Sequence, residues 1–430
     1  MRYVIIGNSA AAVGAIEAIR QHDLENPITV VAAEAYHVYS RPLISYLLGG
    51  IVNESQMSYR PPDFYDRYRV DTMLGAEVLR VTPQAQTISL AGEDTLSYDR
   101  LLIATGGAPF VPPVPGADLA GVFTFTRWDD ARQIARCIKE QRVGSALVVG
   151  GGLIGLKATE ALLARSIRVT VVELADRILS LSLDHTASRL VESLLRRANV
   201  EIRTGTTVEE IIGRNKRVAH AVLRDRERVD CDLVVFAIGV RPNTAIIPQD
   251  AGIGIDRGVL VDDHMRTSAP HVYAAGDCIE THDILLQQAH PIAIWPNAYQ
   301  QGYVAGCNMA GGDKAYRGGF AMNSIEVCGV PTTSVGVTAV PENDDADRYE
   351  TMVKYEREAT VYRKLVLRDN RLVGAICIGN IDRAGIYTGL IRDQADVGPF
   401  KKHLLSGNFG LISLPRAYRK HMVVGEGIEV

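Results

Sequence analysis

The sequence predicts an α/β protein made of two Rossmann-like units followed by a C-terminal α+β domain. Three observations carry this. The chain opens on "MRYVIIGNSAAAVGA", an apolar run, a tight turn and an apolar-periodic helix. The same succession returns at "SALVVGGGLIGLKATEALL", and "VYRKLVLRDNRLVGAICIGN" holds two alternating apolar runs around a polar turn. A buried strand that feeds a helix through a glycine turn is the phosphate-binding unit of dinucleotide folds, usually written GxGxxG.

Composition sets the outer limits. At 430 residues, 47% apolar and 22% charged, the chain has material for two or three domains with ample core. A formal net charge of −4 gives no global field for nucleic acid. No apolar run approaches the ~18 residues of a membrane helix. The first strand follows Met1 at once, which leaves no room for a cleaved leader and points to the cytoplasm. The six cysteines, Cys137, Cys231, Cys278, Cys307, Cys328 and Cys377, show no CxxC or similar spacing. Zinc, iron–sulfur or other metal ligation by this chain is therefore not expected, and buried reduced thiols are.

In the first unit Gly7 keeps the first glycine position, while Ser9 and Ala12 occupy the second and third. Ala12 adds one methyl at a helix–strand contact. Ser9 is the larger departure, because its Cβ sits where backbone approaches phosphate, although its hydroxyl can donate to a phosphate oxygen. "NPITVVAAEAYHVYSRP" supplies the second strand and places Glu34 beyond its end, where a carboxylate receives ribose hydroxyls. The second unit is complete, with Gly150 for the turn, Gly152 for backbone approach and Gly155 for helix–strand packing. Its next strand ends in Glu173, about 20 residues further on. A carboxylate there repels a 2′-phosphate, so NAD(H) is expected over NADP(H). "RDNR" between the late apolar runs predicts a hairpin.

Further segments resemble the two-dinucleotide flavoproteins of the pyridine nucleotide–disulfide oxidoreductase superfamily, from residue 1 to about 310 and in the family's order. "YDRLLIATGGAP" resembles the exit from the FAD domain, "CDLVVFAIGVRPN" the return, "RTSAPHVYAAGDC" the second FAD motif and "IWPNAYQQGYVAG" the helix after it. The resemblance implies a glutathione-reductase-like arrangement. An FAD domain would span 1–112 and 245–318, an inserted NAD domain 113–244, and a C-terminal interface or docking domain 319–430. It also implies the ligand residues. FAD would meet Gly7, Ser9, Ala11, Ala12, Glu34, Arg41, Pro42, Val78, Ala104, Thr105, Gly106, Asp277 and Trp295, with Arg41 on the pyrophosphate and Asp277 on the ribityl chain. NAD would meet Gly150, Gly152, Leu153, Ile154, Gly155, Glu173 and Gly239.

"YSRPLIS" selects the branch. Disulfide reductases of the family carry a Cys pair on the helix here, and coenzyme A–disulfide reductases a single Cys. Arg41 and Pro42 instead resemble rubredoxin reductases and the flavin part of nitrite reductases. The combination is also similar to NADH-handling FAD subunits of the phenylglyoxylate dehydrogenase and tungsten aldehyde oxidoreductase type, which implies an iron–sulfur partner subunit. The expected activity is an FAD-dependent NADH oxidoreductase that takes hydride from NADH and passes single electrons to that partner. A stand-alone NADH oxidase or peroxidase, a rubredoxin or ferredoxin reductase, and a non-catalytic flavin scaffold remain as alternatives.

Two further expectations concern charge. Relatives carry Glu where this chain has Lys157, and Lys where it has Tyr46. Lys157, expected in the first turn of its helix, opposes the helix dipole; beside Tyr46 as hydrogen-bond neighbour it would stabilise reduced flavin. The basic cluster Arg416, Arg419, Lys420 and His421 is a solvated helix face or a docking surface for an acidic electron-transfer partner.

Overall fold

The computed structural model describes residues 1–340, 346–410 and 413–414. The elements that build the site, in chain order, are strand β1 (Tyr3–Ile6), helix α1 (Ala10–His22), strand β2 (Ile28–Ala32), helix α2 (Ile44–Gly49), and strands β3 (Val70–Leu74), β4 (Arg100–Ile103), β5 (Gly107–Pro109), β6 (Val122–Thr124) and β7 (Ser145–Val149). They continue with helix α3 (Leu153–Ala164), strands β8 (Arg168–Glu173), β9 (Leu233–Phe236), β10 (Val240–Pro242) and β11 (Val272–Ala274), and helix α4 (Trp295–Met309). The chain divides into two compact units. One joins Met1–Leu174 to Thr206–Phe320, and the other joins Ala175–Gly205 to the chain after Phe320.

The first unit holds two parallel sheets. One has the order β11-β4-β1-β2-β3, and the other runs β8-β7-β9-β6. The central strands are apolar because both their faces are covered: Tyr3, Val4, Ile5 and Ile6 are all buried, as are Ala146 to Val149. Each sheet reverses its winding beside its first strand, between β1 and β4 and between β7 and β9. In open α/β sheets the crevice at such a reversal is where ligands bind. The exit and return segments meet as expected: β5 and β10 pair antiparallel, Gly107 opposite Pro242 and Pro109 opposite Val240.

Helix α1 crosses α4 at very short range. A Cβ on Gly14 would collide with the Tyr299 carbonyl, and one on Gly302 or Gly306 with the Ala11 or Ala15 carbonyl. Small residues are what let two helix backbones approach so closely.

The second unit is built on an antiparallel sheet. Its strands are β12 (Met322–Val327), β13 (Val330–Gly336), β14 (Tyr349–Glu356), β15 (Val361–Arg368) and β16 (Arg371–Ile378), in the order β12-β13-β16-β15-β14. The hairpin expected around "RDNR" is β15–β16, turned by Asp369 and Asn370 at φ 51° and 60°. Those left-handed values are the pair a two-residue hairpin of matching twist requires. Helix α5 (His185–Arg197) belongs to this unit, and helix α6 (Ala384–Arg392) packs on β16. At the N-cap of α5, Asp184 accepts from the Ala187 amide at 2.9 Å, from the Tyr362 hydroxyl at 2.7 Å and from Lys364 Nζ at 3.0 Å. Among the described residues no helix is long and apolar enough to cross a membrane.

Candidate dinucleotide and electron-transfer site

Two equivalent cradles follow from the strand–turn–helix geometry. Gly7 and Gly150 both adopt φ +112°, and a Cβ on either would strike a carbonyl of the strand across the switch point, Ala104 or Ala237. No other residue type fits that turn. Gly155 packs onto the Gly150 carbonyl, whereas Gly152 has nothing within 4 Å of its Cβ position, so the backbone there is open to a ligand. Ala12 is fully buried in the place of the third glycine of the first cradle.

Helices α1 and α3 begin at Ser9 and Gly152 with no side-chain cap, and neither has an acidic residue in its first turn. Their leading N–H groups therefore point outward without intrahelical partners. That is the condition for binding phosphate at a helix N-terminus. Ser9 keeps its hydroxyl out of the cap, free for a ligand. Ala11 lies in the first turn of α1, and Leu153 and Ile154 open α3. These features fit a pyrophosphate at each cradle.

The acidic strand ends are engaged from within the chain. Glu173 accepts a hydrogen bond from the Gly151 amide at 2.6 Å, which fixes its carboxylate against the glycine turn. Beside it Thr206 is buried with its hydroxyl unpartnered. Glu34 accepts from the Tyr39 hydroxyl at 2.6 Å and forms an ion pair with Arg41, which also donates to the Thr126 carbonyl at 3.2 Å. Burial works against the Arg41 charge, but Tyr39, Glu34 and Asp277 hold it above its ordinary range. Burial likewise lifts the Asp277 carboxyl, and Arg41 draws it back. Arg41 is thus the ion-pair partner of Glu34, with its charge also favoured by Asp277. Pro42 holds Arg41 in the short 3-10 turn Arg41–Leu43 that leads into α2.

The exit from β4 is locked to the return strand: the Thr105 hydroxyl donates to the Asn243 carbonyl at 2.6 Å, and Gly106 sits at φ +69°. Gly239, at φ +104°, also has open space at its Cβ position. Trp295 starts α4 and meets Tyr59 edge-on at 4.9 Å. Val78 is buried in the strand Val78–Thr82 of a separate small antiparallel sheet. Lys157 falls past the first turn of α3, which begins at Leu153, and not within it as the sequence had suggested. Its ammonium pairs with Glu160 at 2.7 Å and stands over the Tyr46 ring, 5.6 Å from the centroid. The contact with Tyr46 on view is thus with the ring face. Arg416, Arg419, Lys420 and His421 lie outside the described residues.

Sequence reasoning placed Trp295 on α4 at the flavin but passed over Asn297 and Gln301. Asn297 is 7% exposed and its Nδ2 has no partner, while Gln301 accepts from the Gly276 amide at 2.9 Å, next to Asp277. The signal was present in "WPNAYQQG", where amides interrupt a buried helix face. A buried amide donor without a partner costs on the order of 1–3 kcal/mol, so Asn297 is a further candidate for ligand contact.

A family model described as "Pyridine nucleotide-disulphide oxidoreductase" matches residues 1–302. The chain belongs to this family. Residues 322–395 match the "Rubredoxin NAD+ reductase C-terminal domain". The two matches place it in an oxidoreductase family, on the side related to rubredoxin and nitrite reductases. It is 31% identical to the NAD(P)H nitrite reductase of Bacillus subtilis over 93% of its own length and 48% of that protein. It therefore spans about half of that relative. It is also 31% identical to the epsilon subunit of the NADH-dependent phenylglyoxylate dehydrogenase of Aromatoleum evansii, over 94% of both chains. Among solved structures, the NAD-dependent persulfide reductase of A. fulgidus superposes with a TM-score of 0.85 at 29% identity, over 94% of this chain and 79% of that one. The covalent putidaredoxin reductase–putidaredoxin complex gives 0.82 at 26% identity, over 93% and 94%.

Proposed function

We infer that the chain is an FAD-dependent NADH oxidoreductase, a subunit that passes electrons between NAD(H) and an iron–sulfur partner in the cytoplasm. The observation that carries this reading is the pair of uncapped helix N-termini at two switch points, each beside a fixed carboxylate. Bound FAD would supply the step that nicotinamide cannot, exchange between a hydride and single electrons. On this reading FAD is held by residues 1–112 and 245–318, NAD by 113–244, and the partner docks on 319–430.

The chain's own residues divide the work. Gly7, Ser9, Ala11 and Ala12 would present the α1 N-terminus to the FAD pyrophosphate, with Glu34 toward the adenosine ribose and Arg41 as the neutralising cation. Ala104, Thr105 and Gly106 would border the flavin from β4, Asp277 would receive the ribityl hydroxyls, and Pro42, Val78 and Trp295 would pack around it. Gly150, Gly152, Leu153, Ile154, Gly155 and Gly239 would receive NAD, and Glu173 its adenosine ribose. Lys157 and Tyr46 would sit at the reactive edge, with the cation favouring reduced flavin. The similarity to an epsilon subunit over 94% of both chains supports a place in a larger complex. Arg41 and Pro42, where thiols stand in disulfide reductases, support electron exit without a dithiol.

Two measurements test the reading. The purified chain should carry flavin absorbance that NADH bleaches under anaerobic conditions, and the reduced protein should then reduce a ferredoxin-like iron–sulfur protein faster than it reduces oxygen. A colourless protein that binds no FAD on titration overturns the cofactor assignment. Bleaching followed by oxygen consumption with no reduction of iron–sulfur acceptors overturns the partner.

A further inference from the structure

The row of residues across β14, β15 and β16 is unusual in its charges. Lys354 lies directly opposite Arg363, and Arg363 directly opposite Cys377, so the three side chains share one face of the sheet. Like charges facing each other across two strands are destabilising. Here one of the two is also buried: Arg363 is only 6% exposed. Its Nη2 donates to Asn380, at 2.9 Å to the side-chain oxygen, and its face lies 5.9 Å from the Tyr387 ring centre. Its Nε has no hydrogen-bond partner. A guanidinium cannot shed its charge, so an unsatisfied buried N–H on it is costly.

The Arg363 side chain is one of those lining a cavity of about 110 Å³, together with Lys354, Glu356, Val361, Asn380, Asp382, Arg383 and Gly407, all within the second unit. The volume has room for several waters or one small oxyanion. Three cations and two carboxylates line it. Glu356 is already paired with Lys354 at 2.7 Å, and Asp382 receives the Asn380 amide at 3.3 Å. Arg383, whose Nη2 reaches the Gly407 carbonyl at 3.3 Å, stands at its rim.

We propose that this cavity on the C-terminal sheet binds a small oxyanion, a phosphate or carboxylate group, with Arg363 as its principal donor and Arg383 as the second. The anion would lie against the Arg363 and Arg383 guanidinium groups and offset the Lys354–Arg363 repulsion. A charge-assisted contact of this kind tolerates neither loss of the donor nor its replacement by an apolar chain.

Calorimetric titration of the full chain with inorganic phosphate tests this, at constant ionic strength and with saturating NAD+ to occupy the second cradle. A parallel titration uses acetate. Wild type is expected to bind one of the two anions saturably. Arg363→Met should weaken binding by at least about tenfold, the scale of one charged hydrogen bond, and Arg383→Gln, which keeps a neutral amide donor, by about three- to tenfold. Tighter binding of phosphate identifies the tetrahedral anion, and tighter binding of acetate the carboxylate. No saturable binding of either, or unchanged binding in both variants, overturns the proposal. If Arg363→Met does not fold, Arg383→Gln decides alone, and wild-type affinity in that variant overturns it.

Discussion

Replacing Asp184 by Asn should loosen helix α5 from the C-terminal sheet, and the structure sets the size of the effect. The single amide oxygen of Asn can still accept from the Ala187 amide, so the helix cap survives, but an NH2 replaces the oxygen that accepts from the Tyr362 hydroxyl and pairs with Lys364, so that hydrogen bond and the charge are lost together. At 3.0 Å and an effective dielectric of about 20, the pair attracts by about 5.5 kcal/mol. The two side chains are only 15% and 12% exposed, so desolvation takes back much of this and roughly 2–3 kcal/mol remains. Hydrogen exchange of the α5 amides reads it as a ~30–150-fold loss of protection at pH 7. The effect has a pH signature. Burial raises the Asp184 carboxyl, but the Ala187 amide, Tyr362 and Lys364 outweigh it and leave the group below the ordinary carboxylate range. A native pKa below the unfolded value near ~3.9 gives stability that is complete above that pH and lost as pH falls through the native value. The wild-type advantage over Asp184→Asn should therefore vanish in acid. A double cycle with Lys364→Met isolates the pair. Coupling below about 0.5 kcal/mol, or an advantage that persists at low pH, would refute the reasoning.

Three other outcomes follow from the dinucleotide site. Glu173→Ala should weaken NADH and relieve the penalty on NADPH by ~1–3 kcal/mol each, read from kcat/KM with both nucleotides; equal wild-type efficiency with the two removes the basis for the assignment. Lys157→Met should lower the flavin reduction potential and slow its reduction by NADH without much change in NADH affinity; weaker NADH binding at an unaltered potential would instead put the ammonium on the nucleotide phosphates. Neutralising Arg416, Arg419 and Lys420 together should slow delivery to the partner while leaving flavin reduction by NADH unchanged, and the opposite pattern dismisses the docking surface.

What could be read from the sequence is what is local. Gly7, Gly150, Gly155, Glu173 and the "RDNR" turn each depend on a few neighbouring residues whose backbone geometry their identity dictates. The crossing strands β5 and β10 were legible only through the family's order of motifs, because they pair across more than a hundred residues. The α1–α4 contact was missed for the same physical reason. Gly14, Gly302 and Gly306 look like ordinary helix-weakening glycines until the partner backbone is in view. The Glu34–Arg41 ion pair was also hidden, since each residue alone suggested a contact with ligand and not with the other. Arg363 gave no signal at all. An arginine followed directly by a lysine in a strand reads as solvent-facing, and only its burial opposite Lys354 shows otherwise.

The order in which strands join the two parallel sheets bears on synthesis at the ribosome. Strands β6, β7, β8 and β9 all lie between Val122 and Phe236, so their pairings are available as soon as that stretch has emerged. The other sheet begins first and closes last: β4 ends at Ile103, and its outer neighbour β11 starts only at Val272. Throughout translation of the intervening segment, β4 presents a bare edge of amides and carbonyls to any strand that passes. The nascent chain thus carries its most vulnerable edge while an entire second sheet is assembled beside it. Arrest or truncation between Phe236 and Val272 should yield a folded inner sheet attached to a half-finished, self-associating one.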